Sequence, residues 1–389
     1  MADPSVLDSA RLAPPSRLGV VGQALRAVFP AWCVTRLLVA AAFVISHLLV
    51  RTARPNDPKA AGTLARGLSA WDAGWYRSIA EFGYRSSGAH SLRFFPGYPL
   101  AGRYLGVLLD IGPGTALIVL ANACALVAMA VLWLLVRNEL GDLDLARRSV
   151  WLLAVCPSSY TLVMGYADAS FLLASLLVFL AARSGHWWWA AVAGLMAGAV
   201  RPVGLLLVLP MAVEIWQQHG RHREARLPWA AVTAALFAPV LGTALFLAWV
   251  GHVFHDPWLP YRLQMHAGHS GSILAPVASL WNATASSVRG HHLGTALHLP
   301  WVLLALALLV VAFRRLPLSY AVYAASTLCV LLATSNLDSF ERYAMDAFPL
   351  VIAGGTLLVP KGVERGILVS AGVVLVGYTV LASWAMVVP

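Results

Sequence analysis

Leu68 to Leu100 hold the densest set of residues able to act on a ligand at a membrane surface. Read as a helix opening at Ser69, a residue type that caps helices, the segment puts Trp71, Trp75, Ser78 and Phe82 on one face. Asp72, Tyr76 and Ile79 follow on the adjoining face, and Arg77 and Glu81 stand at the i,i+4 spacing that lets them pair. Trp and Tyr hold such a helix flat in the headgroup layer. Asp72 is then a carboxylate at the membrane surface between aromatic rings, and an ionisable group so placed is a functional candidate. The alternative is an ordinary interfacial helix whose Asp72 caps it or pairs with an arginine. Around it, residues 51–113 carry Arg51, Arg54, Lys59, Arg66, Arg77, Arg85, Arg93 and Arg103. That charge suits an anionic ligand, although a long loop also crosses a membrane largely regardless of its charge.

The elements that must position these residues are membrane helices. Of the 389 residues 60% are hydrophobic and 11% charged, too few charges to cover a soluble surface. Fifteen Trp fit belts at the two bilayer interfaces. The formal charge of +10 is dispersed between apolar spans with no basic block, which argues against nucleic acid and for anionic lipid as partner. Cys33, Cys124, Cys156 and Cys329 are isolated in separate apolar runs and read as core residues. The first apolar run is too long for a signal peptide and is expected to be retained.

Runs long enough to cross a hydrocarbon core lie at 27–50, 116–136, 229–250 and 367–388, with shorter ones at 300–313, 318–334 and 347–359. Between them, 150–164, 169–182, 187–200 and 203–216 are short for a span, with breaks at Cys156-Pro157-Ser158-Ser159 and Arg201-Pro202. Irregular backbone at membrane depth survives only where protein or a cavity surrounds it, so short or broken helices around a cavity are expected. The Lys and Arg of the short loops give about eleven spans with the N-terminus inside and the C-terminus outside. The fold class is therefore all-α, a polytopic bundle. A cytoplasmic segment, residues 1–26, precedes one transmembrane domain, 27–389, whose external loops are 51–113, 251–299 and 335–346.

Three stretches of the first loop resemble the GPI mannosyltransferase II family, PIG-V, among the GT-C membrane glycosyltransferases. They are Trp71-Asp72-x-x-Trp75-Tyr76, Ile79-Ala80-Glu81-x-Gly83-Tyr84 and Phe94-Phe95-Pro96-Gly97-Tyr98-Pro99-Leu100. Further matches follow in the same order. Cys156-Pro157-Ser158-Ser159 and Tyr166-Ala167-Asp168-Ala169-Ser170-Phe171 resemble the family's Pro-rich break and its Tyr-Ser-Glu-x-Leu-Phe stretch. Arg201-Pro202-Val203-Gly204 resembles its Arg-Ser-Asn-Gly turn, and Glu341-Arg342-Tyr343 with Phe348-Pro349 its last external-loop motif. The resemblance spans roughly residues 30 to 350. Asp168 stands where the family has Glu, and Pro202-Val203 where it has Ser-Asn. The Ala-, Arg- and Leu-rich composition is that of a high-GC bacterial chain, which would not make GPI anchors, so the family name does not carry the acceptor with it.

The resemblance implies a GT-C fold at the plasma membrane with an extracytoplasmic active site, and an inverting transfer of mannose from a polyprenyl phosphate. Asp72 would be the general base toward the acceptor hydroxyl. Arg342, Arg201, Arg93 and Arg36 would be candidates for neutralising the leaving lipid phosphate. Arg36, in mid-span, and Arg201, at a break, have structural alternatives: pairing with Asp168 or Glu341 for the first, bonding freed carbonyls for the second. Trp71, Trp75, Tyr76, Tyr166, Asp168 and Glu341 would meet sugar or acceptor. The acceptor itself, a glycan, glycolipid or protein, is left open. Loop 251–299 holds seven of the twelve histidines, including His252-x-x-His255-Asp256 and His266-x-x-His269, yet no second element completes a metal set. With no Asp-x-Asp in the first loop either, catalysis without metal or other cofactor is expected. A transferase using another lipid-linked sugar, such as glucose or arabinofuranose, and a lipid or glycolipid transporter are the competing readings.

Overall fold

In a computed structural model the described residues are 17–221, 228–265, 281, 285, 293–333, 337, 339–357 and 360–387. They are mostly helical, with no strand among them. Five described helices are long and apolar enough to cross a membrane: Gly19–Ala53, Pro113–Leu140, Trp229–Phe254, His298–Arg315 and Lys361–Ser383. The chain is thus a multi-pass, all-α membrane protein, as its composition implies.

The first half runs α1 (Arg17–Ala53), α2 (Pro58–Arg66), α3 (Asp72–Ser86), α4 (Gly97–Leu109), α5 (Pro113–Leu140) and α6 (Leu143–Val155). The short middle helices are α7 (Asp168–Arg183), α8 (Trp187–Val200) and α9 (Val208–Arg221). Then come α10 (Trp229–Phe254), α11 (Leu259–Gln264), α12 (Leu293–Arg315), α13 (Leu318–Leu332), α14 (Phe340–Asp346), α15 (Phe348–Gly355) and α16 (Lys361–Ser383).

Local chemistry explains several boundaries. Asp57 caps α2 by accepting from the N–H groups of Lys59 and Ala60, with Pro58 at the first helical position. Gly141, at φ +63°, ends α5, and Asp142 accepts from the Leu145 N–H to start α6. The helix expected from Ser69 begins three residues later. Gly67–Ser69 is a 3-10 turn, and Trp71, at φ +58°, breaks the backbone just ahead of Asp72. The buried face of α3 is therefore Ala73, Tyr76, Ile79 and Ala80, while Trp75 and Phe82 are exposed.

Both expected breaks are present, and each has partners for its freed backbone groups. After α6 the chain turns at Cys156-Pro157 into a 3-10 turn, Ser159–Leu162. Arg36 donates to the Leu162 carbonyl at 3.1 Å and Asn122 to that of Val163 at 2.9 Å. The Gly165 N–H reaches back to the Leu68 carbonyl at 3.0 Å, fastening this break to the first loop. At the second break Arg201 is extended, as a residue before proline must be, and Pro202–Leu207 forms a 3-10 turn leading into α9. Water cannot satisfy such groups inside a bilayer; here protein does.

The short helices pack by backbone approach. A Cβ on Gly198 of α8 would lie 2.1 Å from the Pro239 carbonyl oxygen of α10, and one on Gly242 would lie 2.2 Å from that of Leu195. Only glycine allows this contact, the small-residue packing that membrane helices use in place of hydrophobic drive. Against this pair α7 buries Phe171 and Phe179, and Phe179 meets Tyr320, Tyr323 and Phe348 edge-on or tilted. The start of α7 and the end of α8 are thereby fixed side by side.

Candidate active site

That juxtaposition brings Asp168, the first residue of α7, to Arg201, just past the end of α8, with Arg201 Nη2 2.8 Å from Asp168 Oδ2. Arg342 of α14 grips the same carboxylate in a fork, Nε to Oδ1 at 2.8 Å and Nη2 to Oδ2 at 3.0 Å. Its remaining nitrogen, Nη1, donates to Asp72 Oδ2 at 2.7 Å. On the inner side Arg201 Nη1 bonds Asp346 Oδ2. The result is a chain of alternating charge, Asp346–Arg201–Asp168–Arg342–Asp72, crossing four separate helices. Asp168, Asp346, Arg201 and Arg342 are buried, whereas the Asp72 side chain is 31% exposed. Asp72 is the member that meets the outside.

Aromatic faces close the cluster. The Arg342 guanidinium lies 4.4 Å from the centroid of the Tyr166 ring and 5.3 Å from that of Tyr343, and Arg201 stands 5.4 Å from the Tyr343 centroid. These faces attract the cations while excluding water. With three aspartates against two arginines, the formal balance of the five is one negative charge if all are ionised. Asp346 Oδ1 and the Tyr166 hydroxyl are buried with no hydrogen-bond partner among the described residues.

The other site residues expected from sequence fall outside this chain of charge. Arg36 donates Nε to Asn122 at 2.9 Å and shares its other nitrogens between the Trp32 and Leu162 carbonyls, so it meets no carboxylate among the described residues. It braces the first break instead of pairing with Asp168 or Glu341. Arg201 departs from its own structural alternative in the opposite sense, bonding two carboxylates. Arg93 donates Nε to Gln264 at 2.7 Å and lies over Phe94, which stacks on Trp75. Tyr76 is buried edge-on to Phe94 and Tyr98, and the Trp71 indole N–H is bonded to the Ala382 carbonyl of α16 at 3.0 Å. Of the aromatic candidates Trp75 alone is broadly exposed, at 37%.

Glu341 turns away from its neighbour Arg342 into a second buried network. His298 Nδ1 is 2.8 Å from both its carboxylate oxygens, and Tyr378 donates to Oε1 at 3.1 Å. Trp301 Nε1 in turn donates to the Tyr378 hydroxyl at 2.8 Å. This ties α14 to α12 and α16 directly behind Arg342. His298, counted with the loop histidines from sequence, is in fact a buried residue of α12. Its i,i+3 spacing to Trp301 at the edge of an apolar run was the available signal. Asp346 was also missed; its clue was its place four residues after Arg342, one turn further along the same short helix.

Among the described residues no three His, Cys, Asp or Glu side chains are grouped to hold a metal ion. His266 and His269 lie outside the described residues.

Comparison with known proteins bears on the same chain. No protein-family model matches it. It is 32% identical over 155 residues to GPI alpha-1,6-mannosyltransferase 2 of Mus musculus, covering 37% of this chain and 30% of that protein. The Homo sapiens protein of the same name is 32% identical over 157 residues, 37% and 31% of the two chains. The chain is similar to GPI mannosyltransferase II. The family resemblance thus recurs in a direct alignment, and the chain spans less than a third of the length of these relatives. Among solved structures, ArnT from Cupriavidus metallidurans bound to undecaprenyl phosphate matches 90% of this chain and 75% of that one, at 15% identity and a TM-score of 0.45. The Archaeoglobus fulgidus oligosaccharyltransferase matches 90% and 55%, at 12% identity and 0.40.

Proposed function

We propose that this protein is an inverting membrane glycosyltransferase of the GT-C type. It moves mannose from a polyprenyl phosphate to an acceptor hydroxyl on the extracytoplasmic side of the plasma membrane, with Asp72 as general base. The observation that carries the reading is the position of Asp72, the one exposed carboxylate at the end of an otherwise buried relay of charge. Mannose rests on the similarity to GPI alpha-1,6-mannosyltransferase 2.

The chemistry balances without a redox partner. The acceptor oxygen forms a bond to the anomeric carbon as the carbon–oxygen bond to the lipid phosphate breaks, and the hydroxyl proton passes to Asp72. In an inverting displacement the base and the leaving phosphate lie on opposite faces of the sugar. An arginine bonded to Asp72 is therefore on the attack side. Arg342 orients Asp72, while Asp168 and Arg201 hold Arg342 in place. The leaving phosphate needs a cation free of carboxylates. Arg93 suits this role: among the described residues its polar partner is neutral Gln264, and it borders the exposed Trp75 through Phe94. Arg36, also without a carboxylate, is committed to backbone carbonyls.

The test is transfer by purified protein in liposomes given radiolabelled polyprenyl-phosphate-mannose and membrane lipid extract, with the glucose and arabinofuranose carriers in parallel. Label should move from the mannose donor, and Asp72→Asn should abolish transfer while leaving the protein folded. Transfer from another carrier alone would reassign the donor. Equal transfer by Asp72→Asn would sink the mechanism.

A further inference from the structure

Away from the charged relay, a groove of about 860 Å³ opens between α1, α6 and α16. Its long wall is apolar, formed among others by Leu38, Trp151 and Val373. One end is basic. Arg147, Lys361 and Arg365 line it together with a single acid, Glu364. Arg147 Nη2 is paired with Glu364 at 3.0 Å, which cancels one charge of each sign. Lys361 and Arg365 stand at i,i+4 on one face of α16 and form no ion pair among the described residues. The positive end of the α16 dipole adds to them, since no side chain caps that terminus. From Lys361 to Val376 the helix rises about 22 Å, which matches half of a bilayer about 40–45 Å thick with its headgroups.

We propose that this groove is a binding site for one anionic glycerophospholipid of the adjoining leaflet. The phosphate lies against Lys361 and Arg365, and an acyl chain runs along α16 past Val373 toward Val376. Two features set the groove apart from an ordinary lipid-facing surface. It is concave, so a chain gains contacts on three helices, and its charge is confined to the end where a headgroup lies. It joins α1 and α16, which also meet beyond the groove where Ser383 donates to Ser46 at 2.7 Å, and α16 carries the Ala382 carbonyl that holds Trp71. The site is independent of the sugar-transfer reading and stands or falls without it.

The experiment is native mass spectrometry of the full-length protein in detergent with dioleoyl phosphatidylglycerol and dioleoyl phosphatidylcholine, which share their acyl chains. One bound phosphatidylglycerol is expected, preferred about tenfold or more, as two basic groups at a bilayer surface supply. Lys361→Glu with Arg365→Glu should erase that preference. Val373→Trp, at a position 67% exposed and so free of the core, should lower retention of both lipids. Melting temperatures of the variants show that they are folded. Equal retention of the two lipids by the wild-type protein, or unchanged binding in both variants, would overturn the proposal. So would displacement of phosphatidylglycerol by equimolar undecaprenyl phosphate, which would give the groove to a carrier lipid.

Discussion

Arg342 Nη1 sits 2.7 Å from Asp72 Oδ2, joining α14 to the first residue of α3 across 270 positions of sequence. Because the other two nitrogens of that guanidinium are fixed on Asp168, the Asp72 carboxylate is held by one N–H of an already oriented group and not by a flexible point charge. Lysine cannot reproduce this, having no planar pair of donors to divide between two acids. Arg342→Lys should therefore lose most transfer activity despite keeping the charge, at least about tenfold in kcat with donor KM little changed. Steady-state kinetics in liposomes would show it, and a KM effect alone would move Arg342 to donor binding.

Removing the acid at the centre should damage folding before chemistry. Asp168 is shared by Arg201 and Arg342, and Asp168→Ala leaves two buried guanidiniums short of their counter-charge. Breaking a buried pair costs about 3–5 kcal/mol. A large drop in melting temperature and in detergent-extracted yield is expected. Asp168→Glu, which installs the residue found in the family motif, should be much milder. Equal stability of the Ala variant would mean that water replaces the lost carboxylate.

How much of this was legible in the sequence depends on what fixes each feature. Asp72, Asp168, Arg201 and Arg342 stand out because each lies at a helix boundary or break, where polar residues in an apolar chain need a reason. Their mutual pairing was not legible. It joins residues up to 270 positions apart, and periodicity says which face is apolar but not which neighbour it meets. The start of α3 was misread because Ser69 is a good cap by residue type, whereas Trp71 at φ +58° is set by tertiary contact, its indole bound to Ala382. Glu341 looked like a site residue beside Arg342, but consecutive side chains on a helix point about 100° apart, and His298 was waiting on the other side.

Arg93 offers a kinetic separation from Arg342. As the cation proposed for the leaving phosphate, Arg93→Ala should raise donor KM and lower kcat/KM, with the fold unaffected because its polar contact among the described residues is one hydrogen bond to Gln264. A loss of about 2–3 kcal/mol of transition-state binding, about 30- to 150-fold in kcat/KM, is the scale for one such charge. Activity restored by added guanidinium would support a direct role. Unchanged kinetics would remove Arg93 from the site.

The cap of α2 gives a pH dependence whose sign is fixed. The Ala60 N–H, aided by Arg54 and the Lys59 N–H, holds the Asp57 carboxyl below its ordinary range. A folded value below the unfolded one means the cap contributes in full above the unfolded pKa of about 3.9. The contribution disappears as pH falls through the folded value. Amide exchange at Lys59 and Ala60 should therefore stay protected at neutral pH and rise selectively below about pH 4. In Asp57→Ala that acid-triggered step should be absent.

The contact between α8 and α10 sets the frame on which Arg201 is presented, and it tolerates no side chain. A methyl at Gly198 would fall 2.1 Å from the Pro239 carbonyl oxygen, a backbone atom with no rotamer to retreat into. Gly198→Ala must push the helices apart or bend α10, which already carries Pro239 in its interior. Overpacking of this kind costs about 1–3 kcal/mol, and the displaced α8 end would also loosen the Arg201–Asp168 pair. Both melting temperature and transfer activity should fall. Gly22, on the open side of α1 with nothing within 4 Å of its would-be Cβ, is the matched control and should accept alanine without loss. If Gly198→Ala behaved like Gly22→Ala, the close approach of the two helices would not be what holds the arginine in place.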